Sequence, residues 1–116
     1  ISTMMIRGKR TFENAIEHYF AYCATLATIH QRVDDAHLLP VRYEALIGSP
    51  KTHLSNLCHF LDVESSDSYL DACTGILHSQ PEQSRHMVAW TPKWIDVVRR
   101  KIDQFDFLAG YSYEHY

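Results

Sequence analysis

The sequence predicts a mostly helical polypeptide that contributes one strand to an α/β fold. Four segments combine a capping residue with apolar positions at steps of three and four residues, which is the pattern of amphipathic helices. One short apolar run, residues 37–43, favours a strand. A lone strand leaves its backbone amides and carbonyls unpaired, so we expect its neighbours to lie outside this chain.

The longest helix is expected from Thr11 to Val33. Thr11 is a suitable N-cap, because its hydroxyl can accept a hydrogen bond from an amide in the first turn. Apolar residues then recur at helical spacing: Phe12, Ala15, Ile16, Tyr19, Phe20, Cys23, Leu26 and Ala27. The strand follows a polar turn, and Pro40 belongs at an edge or at the start of pairing, because proline has no amide hydrogen to donate.

Three shorter helices are expected in the rest of the chain. Ser49-Pro50 and Thr91-Pro92 are caps followed by proline at the first helical position. They predict one helix over about 50–61 and a last helix stopped by Gly110. A further helix is expected from a serine cap at 65 or 66 to about residue 78, and an ordered loop from there to Trp90.

Composition indicates a folded polypeptide without a nucleic-acid partner. The 116 residues suit one domain or a piece of one, with 46% hydrophobic and 22% charged residues. A net charge of -3 provides no excess of positive charge for a polyanion. No apolar stretch is long enough for a transmembrane segment. Cys23, Cys58 and Cys73 fall at apolar helix positions, which indicates buried reduced thiols and a cytoplasmic location.

The segment Val41-Arg42-Tyr43-Glu44-Ala45-Leu46, followed by Ser49-Pro50, is the most specific motif of the chain. It resembles the Arg-Tyr-Glu-Asp-Leu-x-x-Asp-Pro element of sulfotransferases that use 3′-phosphoadenosine-5′-phosphosulfate (PAPS). The Ser84-Arg85-His86 loop and the closing residues 107–111 extend the likeness. The resemblance is to the bacterial-type branch, because no Arg-Lys-Gly tripeptide of the cytosolic branch occurs. It implies the carboxy-terminal, mostly helical part of a P-loop-like sulfotransferase fold.

The resemblance assigns five residues to the donor site. Tyr43 matches the tyrosine that lies against the adenine, where an aromatic face stacks on the purine; the alternative is a core-lining tyrosine. Ser79, Ser84 and Arg85 match the loop that brings polar and basic side chains towards the adenine and the 3′-phosphate; a solvated surface is their alternative. Ser2 matches a serine whose hydroxyl meets the 3′-phosphate, with a chance match as its alternative.

Two parts of the family's site have no counterpart in this sequence. The family grips the 5′-phosphosulfate with a Pro-x-Ser-Gly-Thr loop, and none occurs in residues 1–116. The general base, usually histidine or glutamate in the family, cannot be assigned. The chain also does not begin with methionine. We therefore expect residues 1–116 to be the carboxy-terminal portion of a single sulfotransferase domain, with the missing amino-terminal half as its partner.

The eight histidines do not form a metal-binding pattern. His53 and His59 lie six positions apart, which places them on different faces of a helix, and no Cys-x-x-Cys or His-x-x-x-His pair occurs. We therefore expect no metal. The family resemblance implies PAPS as the co-substrate.

The resemblance implies transfer of a sulfuryl group from PAPS to a hydroxyl or amine of a small-molecule, carbohydrate or peptide acceptor. Catalysis would be mainly positioning and charge stabilisation during in-line displacement. Residues 1–116 alone are not expected to catalyse sulfuryl transfer. The alternative from a different class is a non-catalytic helical protein-interaction module derived from the same fold. A third is a regulatory or accessory domain of a larger synthase.

Overall fold

The computed structural model of the chain describes residues 1–77, 80 and 83–114. Its α-helices, in chain order, are α1 (Ser2–Gly8), α2 (Phe12–Arg32), α3 (Tyr43–Gly48), α4 (Pro50–Phe60), α5 (Asp67–Ile76) and α6 (Pro92–Ile102). Short 3-10 turns lie at Asp35–His37, Ser84–Met87 and Asp106–Leu108. Contacts divide the chain into two compact units, the first formed by residues 1–33 and 83–116 and the second by residues 34–82. The mostly helical character expected from the sequence is confirmed.

Helix α2 begins as the sequence predicts. Thr11 Oγ1 accepts a hydrogen bond from the backbone amide of Asn14 at 3.3 Å. This bond satisfies one of the first-turn amides that have no partner within the helix. The helix buries Ala15, Ile16, Phe20 and Cys23, which share one face at the helical period. That face is the centre of the first unit.

Aromatic side chains of the carboxy-terminal segment of the first unit pack against aromatic side chains of α2. Phe20 stacks on Phe105, with ring centroids 5.9 Å apart. Phe12 stacks on Trp94 at 5.6 Å and meets Trp90 edge-on at 4.9 Å. The two tryptophans therefore meet through Phe12. Large aromatic residues dominate the energetics of small cores, so these contacts hold residues 90–105 in place.

The second unit packs α3, α4 and α5 in succession. Each helix supplies one buried side chain, namely Ile47, Cys58 and Leu70. The predicted cap of α5 is confirmed, because Ser66 Oγ accepts from the backbone amide of Tyr69 at 3.3 Å. Lys51 of α4 also bridges to Asp67 at 3.2 Å and Asp71 at 3.0 Å. These pairs are exposed and contribute little to stability.

The strand expected over residues 37–43 is not formed. His37 ends a 3-10 turn and α3 begins at Tyr43, which leaves only residues 38–42 outside helices. Leu38 (φ -135°, ψ 115°) and Arg42 (φ -79°, ψ 130°) are extended, yet within the described ranges no strand pairs with this segment. Extended backbone becomes a strand only when a neighbour supplies the matching donors and acceptors. The expectation of four helices and one strand is thus wrong for the described residues.

Two helices and the end of a third also differ from what the sequence predicts. The sequence does not predict α1 or α3, whose seven and six residues are too few to show a periodic pattern. Helix α6 ends at Ile102 and does not reach Gly110. Gly110 instead follows the last 3-10 turn with φ 89°, a conformation that glycine adopts without strain.

Candidate functional site

Ser2 opens α1 and is buried, with 6% of its surface exposed. The indole Nε1 of Trp90 donates a hydrogen bond to Ser2 Oγ at 3.1 Å. A serine hydroxyl has one proton and two acceptor lone pairs, so accepting this bond leaves its own proton to donate. Ser2 is therefore a hydrogen-bond donor held by a residue 88 positions away in the sequence.

Thr3 makes a second link of the same kind. Its Oγ1 lies 2.9 Å from Ser84 Oγ, and either hydroxyl can be the donor. Ser84 begins the 3-10 turn Ser84–Met87, which packs against α1. Ser2, Thr3 and Ser84 thus gather where α1 meets this turn, and we call these three residues the hydroxyl cluster.

Arg85 follows the cluster in the 3-10 turn and is partly exposed. Its Nε donates to Nε2 of His86 at 3.3 Å. A guanidinium has five N–H donors, so this bond uses one of them and the terminal nitrogens carry four more. The turn supplies one hydroxyl and one guanidinium, and α1 supplies two further hydroxyls. These are side-chain types that bind phosphate, the guanidinium in bidentate fashion.

Tyr43 lies in the second unit as the first residue of α3, and 48% of its surface is exposed. Within its unit it does not line the core, which argues against the alternative of a core tyrosine. An exposed aromatic face is available for stacking on a planar ring. Ser79, the remaining predicted site residue, lies outside the described residues.

The resemblance assigned Ser2 and Ser84 to the same 3′-phosphate, although the two residues lie far apart in the sequence. The structure brings them to the same place, because Thr3, the neighbour of Ser2, contacts Ser84. Sequence reasoning missed Thr3 and Trp90. A signal for Trp90 existed, because a partly buried indole N–H usually finds an acceptor. Which acceptor it finds depends on the packing of α1 beside residues 84–90, and local patterns do not encode that packing.

The described ranges contain neither a grouping of potential metal ligands nor a membrane-spanning helix. No group of three or more histidine, cysteine, aspartate or glutamate side chains there is placed to hold a metal ion. None of the helices in those ranges combines the length and apolar character needed to cross a bilayer.

Comparison with known proteins gives one match. A family model described as the sulfotransferase family matches residues 2–67, more than half of the chain. The matched range begins at Ser2 and includes Tyr43, whereas Ser84 and Arg85 lie beyond it. No curated protein and no solved structure matches.

Proposed function

Because the chain belongs to the sulfotransferase family, we propose that it binds the donor PAPS and takes part in transferring the sulfuryl group to a hydroxyl or amine acceptor. The hydroxyl cluster is the observation that supports this function best. We assign it to the 3′-phosphate of the donor, the group that distinguishes PAPS from common 5′-nucleotides. Thr3 and Ser84, which lie far apart in the sequence, meet through a hydrogen bond, and Ser2 beside Thr3 is bonded to Trp90.

The cluster has the donors that a phosphate needs. Ser2 accepts from Trp90 and keeps its proton. Of Thr3 and Ser84, one hydroxyl donates to the other, and the second keeps a proton for a ligand. Two hydroxyl protons are thus left over by the hydrogen bonds of the cluster. Arg85 beside Ser84 adds the positive charge, and charge-assisted hydrogen bonds to phosphate are about twice as strong as neutral ones.

Tyr43 is proposed to stack on the adenine of the donor. Its assignment rests on the resemblance of the surrounding motif and is supported by its 48% exposure. Ser79 is proposed to belong to the same nucleotide-binding set on the resemblance alone. These roles are independent of the hydroxyl cluster and are tested separately.

In the proposed reaction the acceptor oxygen or nitrogen attacks sulfur, and the bond from sulfur to the 5′-phosphate oxygen breaks. The proton of the acceptor passes to a general base, and 3′,5′-adenosine bisphosphate leaves. We propose that the base and the 5′-phosphosulfate loop come from outside residues 1–116, which contain no Pro-x-Ser-Gly-Thr sequence. An upstream reading frame that encodes a strand and such a loop would support this, whereas a start codon next to Ile1 would contradict it.

Calorimetric titration of the complete protein, as its gene encodes it, tests the 3′-phosphate assignment. The two ligands are 3′,5′- and 2′,5′-adenosine bisphosphate, which share base and charge and differ in the position of one phosphate. We expect the 3′ isomer to bind about tenfold more tightly or better, a difference of about 1.4 kcal/mol. Ser2→Ala should reduce that preference, because it removes one donor to the phosphate.

Ser68→Ala is the matched control, since Ser68 is an exposed serine of α5 in the second unit. It should leave the preference unchanged. Equal affinity of the unaltered protein for both isomers would contradict the proposed function and favour the protein-interaction alternative.

A further inference from the structure

We propose that Trp90 is a positioning residue for the 3′-phosphate, an inference that rests on the proposed function. Trp90 does not touch the phosphate in this role. Its indole N–H holds Ser2 Oγ at 3.1 Å and thereby limits the directions in which the serine proton can point. The nucleotide preference of the site would then depend on an aromatic residue that the sequence places far from Ser2.

The indole of Trp90 is itself held in place. Phe12 meets it edge-on at 4.9 Å with an interplanar angle of 66°, and Tyr113 contacts it at 6.1 Å and 60°. The backbone amide of Trp90 donates to the carbonyl of Val88 at 2.9 Å. A ring in contact with two aromatic side chains and bonded through its N–H is restricted in rotation, so the direction of its N–H bond is limited.

A fixed N–H changes what the serine hydroxyl can do. An unrestrained hydroxyl rotates and loses that freedom when it binds a ligand, whereas here one lone pair is already occupied. Donation from the indole also polarises the hydroxyl, which strengthens the bond that the hydroxyl makes to an anion. The first effect favours any acceptor placed opposite the serine proton, and the second favours an anionic acceptor such as phosphate over a neutral one.

A second hydrogen bond connects α1 to residues 84–90, so the positioning role of Trp90 can be tested without unfolding this part of the chain. Thr3 and Ser84 join α1 to the 3-10 turn independently of Trp90, at 2.9 Å. Loss of the indole N–H alone therefore leaves α1 attached to this segment. We expect its removal to change ligand selectivity more than stability.

Trp90→Phe in the complete protein is the direct test. Phenylalanine keeps a ring between Phe12 and Tyr113 but has no N–H. We expect affinity for 3′,5′-adenosine bisphosphate to fall about fivefold, the effect of one lost hydrogen bond. Affinity for 2′,5′-adenosine bisphosphate should stay unchanged, so the ratio of the two affinities should fall by the same factor.

Trp94→Phe is the matched control, because Trp94 stacks on the same Phe12 at 5.6 Å. It deletes an indole N–H from the same aromatic cluster but not the one that bonds Ser2. It should preserve the preference. A general loosening of the cluster would lower the affinity for both isomers in both variants, and that result would overturn the positioning role.

A spectroscopic readout keeps the proposal testable if Trp90→Phe does not fold. In the ¹H–¹⁵N spectrum the indole resonance of Trp90, identified by its change in Ser2→Ala and not in Ser68→Ala, should shift when the 3′ isomer binds. It should shift much less with the 2′ isomer. Ser2→Thr, which retains the hydroxyl, should keep both the shift and the preference.

The outcomes separate the two proposals. If the unaltered protein shows no preference between the isomers, the proposed function itself fails. If the preference exists and is lost in Ser2→Ala but is fully kept in Trp90→Phe, the phosphate site stands and the role of Trp90 is overturned. An indole resonance that does not respond to the 3′ isomer would overturn that role as well.

Discussion

Thr3 Oγ1 and Ser84 Oγ lie 2.9 Å apart, although 81 positions separate the two residues in the sequence. Together with the bond from Trp90 to Ser2, this contact fixes α1 against residues 84–90 within the first unit. The resulting hydroxyl cluster supports the proposal of a 3′-phosphate site. It also gives a structural test that does not require a ligand.

The Thr3 and Ser84 hydroxyls should be energetically coupled. We expect Thr3→Val, which keeps the side-chain shape, and Ser84→Ala each to lower the free energy of unfolding by about 0.5–1.5 kcal/mol. The double variant should cost less than the sum of the two, because the first change already breaks the shared bond. Urea denaturation of the four proteins measures this cycle, and strictly additive losses would show that the contact is not formed.

Replacing Tyr43 should affect the ligand more than the fold. In the complete protein we expect Tyr43→Ala to weaken donor binding by about 1–3 kcal/mol, the typical value of one base stacked on an aromatic ring. Tyr43→Phe keeps the ring and should bind nearly as well. Since the side chain is 48% exposed, the melting temperature should change little in either variant. An unchanged affinity of Tyr43→Ala for 3′,5′-adenosine bisphosphate would remove this residue from the site.

Thr11 and Thr91 both precede helices in the sequence but should contribute differently to the free energy of unfolding. Thr11 Oγ1 accepts from the Asn14 amide, whereas Thr91 precedes α6 without a side-chain capping bond. We expect Thr11→Ala to lower the free energy of unfolding by about 0.5–2 kcal/mol. Thr91→Ala should cost clearly less when both are measured by thermal or urea unfolding. Equal losses would mean that the bond at Thr11 contributes nothing.

The cysteines should differ in reactivity. Burial raises the pKa of the Cys23 thiol, an effect only partly offset by a hydrogen bond with Tyr19. Because only the thiolate is nucleophilic, alkylation of Cys23 at about pH 8 should lag behind that of the more accessible Cys73. Mass spectrometry of iodoacetamide-treated folded protein measures both rates, and faster labelling of Cys23 would contradict its burial.

The same pKa has a consequence for stability. A folded-state pKa raised above the unfolded value means that the folded protein binds more protons between the two values. The neutral Cys23 thiol therefore makes its full contribution to the free energy of unfolding below the pKa of the unfolded state. That contribution is lost as pH rises through the pKa of the folded state. Cys23→Ser should reduce this alkaline decline in urea denaturation, and an unchanged decline would exclude Cys23 as its cause.

Helix prediction succeeded where a cap and a long apolar face occur together. Thr11 with the face of α2, and Ser66 with the start of α5, are both found as expected. It failed for the segment from His37 to Tyr43, whose apolar residues suit a strand only if a neighbouring backbone is present to pair with it. Tyr43 instead begins helix α3. This helix has only six residues, and intrinsic helix preference is weak in so short a segment.

Local patterns in the sequence were enough to predict the helical class of the chain, most of its long helices and, through the Arg42-Tyr43-Glu44 motif, its family. The helices depend on local backbone preferences and on the spacing of apolar residues, which any short window of the chain displays. The family depends on the resemblance of one motif to known sequences. The contacts of Ser2 with Trp90 and of Thr3 with Ser84 became visible only in the folded chain. Contacts between residues more than 80 positions apart follow from how whole helices pack, because packing and not local preference determines which donor lies beside which acceptor.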